Sequence, residues 1–257
     1  MKVAFIFIVK DGEKYLEKNI NLLKRHGHDI YTVENNSVDD TKNILARAGL
    51  KKVINLDIDE KSSIDLCTLN NKEINCTDRV RRLAYIRQQG LDAVMNSGIE
   101  YDYVCMLDMD FVHYDDTRLL EMFEFMEQNR DVEGIFGMSV VNIGIPYDLG
   151  AVRPIHKIPQ IVFKTSRWVR VDSAFSGFGI YRCTSIKEKN ARYDHENIHD
   201  IEHVYFNKHF DHLVVDTHFN PLYEASNKMY AVDKVLLICF LVYILIRVIQ
   251  RFKGNLK

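Results

Sequence analysis

The 257 residues are 47% hydrophobic, enough apolar surface for one large core with a small appendage. A formal charge of −2 gives no footing for nucleic-acid binding, so no nucleic acid is expected as a partner. Five cysteines, Cys67, Cys76, Cys105, Cys183 and Cys239, form no C-x-x-C pair and read as free thiols, with a Cys67–Cys76 bridge as the alternative.

Val3–Val9 is a continuous apolar run, too short for a signal peptide, and predicts a buried parallel strand. Lys10-Asp11-Gly12 makes a turn. Leu16, Ile20 and Leu23 then fall at helical spacing over 15–26, with Gly27 as the stop. Ile30–Val33 predicts a second strand, which runs into Glu34-Asn35-Asn36-Ser37. The segment 42–48 predicts a helix and Val53–Leu56 a third strand. Strand and helix alternating in this way imply a parallel sheet with helices on both faces, whose ligands bind at the carboxyl ends of the strands. Glu34 stands at such an end, where a carboxylate can accept a hydrogen bond from the ring N–H of a nucleotide base; an ordinary polar turn with a helix cap is the alternative.

Residues 57–76 are polar and without a period. Arg79, Arg81, Arg82 and Arg87 follow on a helix predicted to run through Met95, with Leu83, Ile86, Leu91 and Val94 as its apolar stripe. Arg79 with Arg82, or Arg79 with Arg87, can share a face that meets a diphosphate, because guanidinium binds phosphate in a bidentate way. A solvated basic face is the competing reading.

Val104–Leu107 predicts a buried strand ending in Asp108-Met109-Asp110. Alternate side chains of an extended chain point the same way, so the two carboxylates can face one side. Hard oxygen ligands held like this suit Mn²⁺ or Mg²⁺ bridging a substrate diphosphate. Beyond them the pattern predicts a helix over 115–130, a strand over 135–141 and an irregular stretch over 142–168. Ser173–Arg182 carries two glycines among apolar residues, as where a backbone approaches a ligand or a strand bulges. His195, His199 and His203 are spaced as a zinc stripe would be, but the segment before Asp200 looks like loop, so zinc is set aside. Leu213–Val215 predicts a last strand.

An acidic-Asn-Asn-Ser-x-Asp-x-Thr turn at 34–41, an Arg-x-x-x-Leu-Ala-x-x-Arg helix at 79–87 and the strand into Leu107-Asp108-Met109-Asp110-Phe111-Val112 together resemble the GT-A-fold glycosyltransferases. The nearest flavour is the fungal capsule-associated mannosyltransferases and related viral and microbial enzymes, although that group is expected to carry Asn-Asp where this chain has Asp-Met-Asp. The resemblance spans roughly residues 2–223. It implies an α/β fold with a Rossmann-like mixed, mainly parallel sheet, and transfer of a hexose from a nucleotide-diphosphate sugar, GDP-mannose as a first guess, to a hydroxyl of a glycan acceptor. By resemblance, Glu34, Asn36, Arg79, Arg82, Asp108, Gly177 and Gly179 would bind the donor. Asp108, Asp110 and His218 would hold the metal, and Arg153, His156 and Trp168 would line the acceptor side. Glu202, or failing it Asp200, would take the acceptor proton in an inverting enzyme or orient the acceptor in a retaining one. A sugar nucleotidyltransferase and a catalytically silent sugar-binding module are the alternatives.

Residues 1–228 are expected to form the catalytic domain and 229–257 an apolar, basic C-terminal helix. Val235–Ile246 is uninterrupted apolar sequence flanked by Arg247, Arg251 and Lys253, which suits a tail anchor or, as the basic flank favours, a helix on a membrane surface of anionic headgroups, either with the catalytic domain in the cytosol. An apolar helix docked on the domain or on a partner subunit is the alternative.

Overall fold

The computed structural model describes residues 1–58, 75–141, 146, 149–193 and 200–224, without the side chains of 75–78. The chain divides into two compact units, Met1–Glu224 and Ala225–Lys257, and the fold is that of the first. The expected C-terminal helix and its membrane contact fall outside the described residues, as do His195 and His199. Among the described residues no helix is long and apolar enough to cross a membrane.

The first half alternates as the hydrophobic pattern requires. β1 (Val3–Val9), α1 (Glu13–Lys24), β2 (Asp29–Asn35), α2 (Thr41–Arg47), β3 (Lys52–Leu56), α3 (Asn75–Met95) and β4 (Tyr103–Asp108) follow in turn. β1 is buried along its length except for one partly covered residue, as a central parallel strand should be. On α1 the buried face is Leu16, Asn19, Ile20, Leu22 and Leu23, one stripe of a 3.6-residue period. Gly27, at φ +66°, supplies the left-handed residue that ends this turn.

The second half comprises β5 (Phe111–His113), α4 (Asp116–Gln128), β6 (Gly134–Gly137), β7 (Val140–Val141), α5 (Ile158–Val162), β8 (Trp168–Val171), β9 (Phe178–Arg182), α6 (Cys183–Glu188), α7 (Glu202–Asn207), β10 (Leu213–Asp216) and β11 (Leu222–Tyr223). Asp115 caps α4, its carboxylate accepting from the amides of Thr117 and Arg118. The single strand expected over 135–141 is two: β6 lies in the large sheet and β7 in a small one, because the chain leaves the first sheet at Gly137. A Cβ at Gly137 would sit 2.7 Å from the Phe219 ring. β8 begins at Trp168, the last residue of the stretch that reads as irregular, and pairs antiparallel with β10.

The large sheet is mixed and mainly parallel, in the order β3-β2-β1-β4-β9-β6-β10-β8; a second sheet has the order β5-β11-β7. β2, β3 and β4 extend the sheet from β1 in parallel, while β9 runs antiparallel between β4 and β6. After β3 the chain crosses back over β2 and β1 to place β4 on the other side of β1. That reversal makes the carboxyl ends of β1 and β4 the switch point, where sheets of this kind hold ligands. Gly90 lets α3 press onto the sheet there, since a Cβ would stand 2.7 Å from Ile6 Cγ2 and 3.3 Å from Val33 Cγ2.

Candidate active site

Two strand ends on either side of β1 carry the candidate carboxylates, that of β4 at the switch point and that of β2 beside it. At the end of β2, Glu34 is fully buried; its Oε1 accepts the Ser37 amide at 2.6 Å, and its Oε2 is buried without a hydrogen-bond partner. The turns after β1 and β2 interlock. The amides of Asp11, Gly12 and Glu13 donate to Ser37 Oγ, Thr41 Oγ1 and Asp39, and Asp11 accepts the Val38 amide in return. Asn36 sits in the left-handed region at φ +57°, which Asn tolerates better than other side chains, so its identity is accounted for by the turn. The turn leaves Val38 89% exposed.

At the end of β4, Asp108 is partly exposed and Asp110 exposed. Desolvation by the surrounding protein, and then the like charge of Asp108, raise the Asp110 carboxyl to about 6. The backbone carrying the pair is held from three directions. The Asp108 amide donates to the Gly177 carbonyl at 2.9 Å, the Tyr223 hydroxyl reaches the carbonyls of Gly177 at 3.2 Å and Asp108 at 3.5 Å, and the buried Asn19 amide donates to the carbonyls of Met109 and Phe111, both at 2.8 Å. Asn19 thereby fixes the carbonyls of the residues on either side of Asp110.

Of the arginines on α3, it is Arg87 that reaches this centre. Its Nη2 donates to Asp108 Oδ1 at 3.1 Å and its Nε to Glu202 Oε1 at 3.2 Å. Burial works against the guanidinium charge, and Asp108 and Glu202 outweigh it, so the net shift is upward. The guanidinium lies 5.0 Å from the Phe175 ring centroid, and Phe175 stacks on His203 at 3.5 Å. His203 Nδ1 pairs with the Tyr193 hydroxyl at 3.1 Å; burial, then the Arg87 charge, hold its imidazole well below the usual range, and therefore neutral. Arg79 and Arg82 are half-buried on the turns of α3 before Arg87. Arg87 was detectable in the sequence as a charge on an apolar stripe, four residues after Leu83 and three before Gly90. Asn19 carries the same sign, a polar residue among Leu16, Ile20 and Leu23.

The remaining expectations fare differently. Glu202 is buried at the start of α7 and occupied by Arg87, while Asp200 is partly exposed in a two-pronged pair with Arg153 at 2.8 and 3.0 Å. Gly177, at φ +76°, leaves no room for a Cβ beneath the Tyr223 hydroxyl, so it is required by the backbone and by that contact. Gly179 lies inside β9, where a Cβ would stand 3.0 Å from the Phe136 ring; its freedom serves packing and not a ligand. Trp168 lies on the sheet's edge strand, its ring stacked on Phe125 at 3.9 Å with Arg167 over it at 4.4 Å, so it does not offer a free sugar platform. His218 is a correction. It follows β10, which β9 and β6 separate from β4, and it is exposed, its amide donating to Asp216. Among the described residues no three His, Cys, Asp or Glu side chains are grouped to hold a metal. The two aspartates nonetheless fit a divalent cation: desolvation, and then the like charge of Asp108, disfavour the ionised Asp110 carboxyl until a cation offsets them, and hard oxygen donors with phosphate completing the shell are what Mn²⁺ and Mg²⁺ accept.

A solved structure shares this fold: a crystal structure described as that of a mycobacterial protein matches 90% of this chain and 69% of its own, with 11% identity and a TM-score of 0.50. Glucosyl-3-phosphoglycerate synthase from Mycobacterium tuberculosis also matches, at TM-scores of 0.48 in complex with Mn²⁺, UDP and glucosyl-3-phosphoglycerate, and 0.46 with Mn²⁺, UDP-glucose and phosphoglyceric acid. Identity is 10% in both, over 91% and 89% of this chain and 74% and 73% of those chains. No protein-family model and no curated protein matches the sequence.

Proposed function

We propose that the chain is a metal-dependent glycosyltransferase of GT-A architecture, moving a hexose from a nucleotide-diphosphate sugar to a hydroxyl of a glycan acceptor. The observation that carries this reading is the placing of Asp108 and Asp110 at the β1/β4 switch point, with the unpartnered carboxylate oxygen of Glu34 at the neighbouring strand end. Glu34 receives the base N–H through Oε2. Arg79 and Arg82, on the turns of α3 before Arg87, supply positive charge for the diphosphate. Mn²⁺ or Mg²⁺ bound at Asp108 and Asp110 would offset the negative charge that develops on the departing nucleotide diphosphate. Glu202 is committed to Arg87, which leaves the partly exposed Asp200, oriented by Arg153, as the carboxylate to meet the acceptor hydroxyl.

The test is nucleotide release from UDP-, GDP- and dTDP-sugars, GDP-mannose among them, with Mn²⁺ or Mg²⁺, comparing the intact chain with Asp110→Ala. The reading expects metal-dependent turnover of one donor and a loss on the order of a hundredfold or more in the variant. Donor binding without turnover, unchanged by Asp110→Ala, would replace it with a sugar-binding module. We also propose, from the apolar and basic sequence of 229–257, that the chain docks on anionic membranes from the cytosolic side. Flotation with phosphatidylserine vesicles that persists after deletion of 229–257 would refute this.

A further inference from the structure

Arg87 joins the two sides of the proposed site through one buried group. Its side chain is 8% exposed, Asp108 on its Nη2 belongs to the donor side, and Glu202 on its Nε belongs to the segment facing the acceptor. Phe175 closes one face of the guanidinium, and His203, stacked on Phe175, brings its Nε2 to 3.7 Å from Glu202 Oε1. The planar fork of guanidinium can serve two carboxylates at once, which the point charge of an ammonium does poorly. Formal charges of Asp108, Asp110, Glu202 and Arg87 sum to −2, the charge that one divalent cation cancels. A cation drawing on Asp108 competes with Arg87 for that carboxylate. How firmly Arg87 keeps Asp108 depends in turn on how much of its charge Glu202 takes up.

We propose that Arg87 is a positioning residue that couples cation occupancy at Asp108 to the state of Glu202, so that a change at Glu202 alters metal affinity without any contact with the metal. The inference rests on the reading of Asp108 and Asp110 as metal ligands. By linkage the coupling runs both ways: metal binding turns the Arg87 charge wholly onto Glu202 and firms the acceptor side as the donor side fills.

Calorimetric titration with MnCl₂, with no sugar donor present, tests it. Glu202→Asp keeps the net charge but withdraws the carboxylate from Arg87 Nε; it and Glu202→Gln are each expected to weaken Mn²⁺ binding by about fivefold or more. In an Arg87→Lys background, where one ammonium cannot hold both carboxylates, the same changes at Glu202 are expected to cost less than about twofold. Near-ultraviolet circular dichroism selects the variants that keep native packing, and Glu202→Asp carries the test if Glu202→Gln does not. Unchanged Mn²⁺ affinity in both Glu202 variants overturns the inference and leaves the metal reading intact, as does an equal loss in the Arg87 and Lys backgrounds. Equal Mn²⁺ binding by the intact chain and Asp110→Ala overturns the metal reading itself, and the coupling with it.

Discussion

The ends of β2 and β4 each present a carboxylate at the same edge of the sheet, but they are held in opposite ways. Glu34 is fixed by its own turn: its partner is three residues away, and the neighbouring turn after β1 fastens to it through backbone amides. Asp108 is fixed by groups far off in sequence, Arg87 in a helix before it, Gly177 in β9's approach and Tyr223 in β11. A site built locally survives the loss of any one distant contact, whereas a site built from distant contacts depends on each of them.

The sharpest way to break that contrast is Arg87→Ala, which leaves Asp108 and Glu202 facing one another without the buried cation. It should cost about 3–5 kcal/mol, read as a fall in the urea midpoint at unchanged slope. A loss under about 1 kcal/mol would mean that Asp108 does not depend on this partner. Asn19→Ala is next. Two buried carbonyls flanking Asp110 lose their donor, and about 2 kcal/mol of stability should go with it, together with Mn²⁺ affinity if the peptide orientation matters to the site.

Glu34→Gln addresses the local end. The amide oxygen can still accept from Ser37, but the new NH₂ takes the buried, unpartnered place of Oε2, so about 1–2 kcal/mol of stability should go, and donor affinity in equilibrium dialysis should fall about tenfold as the acceptor for the base N–H is lost. Donor binding equal to that of the intact chain would remove Glu34 from the base site. The smallest effect is one of pH. His203 is buried and held neutral, so the unfolded chain binds a proton below about pH 6.5 that the folded chain does not. Stability contributed by this group is complete above that pH and should decline by about 1 kcal/mol between pH 6.5 and 5.5. Urea midpoints at the two pH values check the decline, and His203→Gln should flatten it.

The same contrast explains what could be read from the chain alone. β1 to β4 and their helices follow from runs and periods a few residues long. Glu34 and the aspartate pair follow from the rule that parallel strands present ligands at their carboxyl ends. The second half resisted because its order is set by partners: β8 pairs with β10, β6 and β7 part where Phe219 fills the space over Gly137, and Gly179 answers to Phe136. His218 was placed by its order in the chain, and order does not reveal that two strands intervene. Arg87 and Asn19 carried a readable sign, polarity on an apolar helical stripe. Their partners could not be named before the helices were laid on the sheet.

Tyr223 stands 115 residues beyond the aspartate whose carbonyl its hydroxyl reaches. On the ribosome, then, β1 to β4 emerge and can pair well before the Tyr223 clasp on Asp108 has been synthesised. The growing chain can present a sheet with the Glu34 turn in place while the Asp108 end is still loose. Birth order thus separates the two ends in time, and the proposed cation site becomes whole only as Tyr223 is delivered.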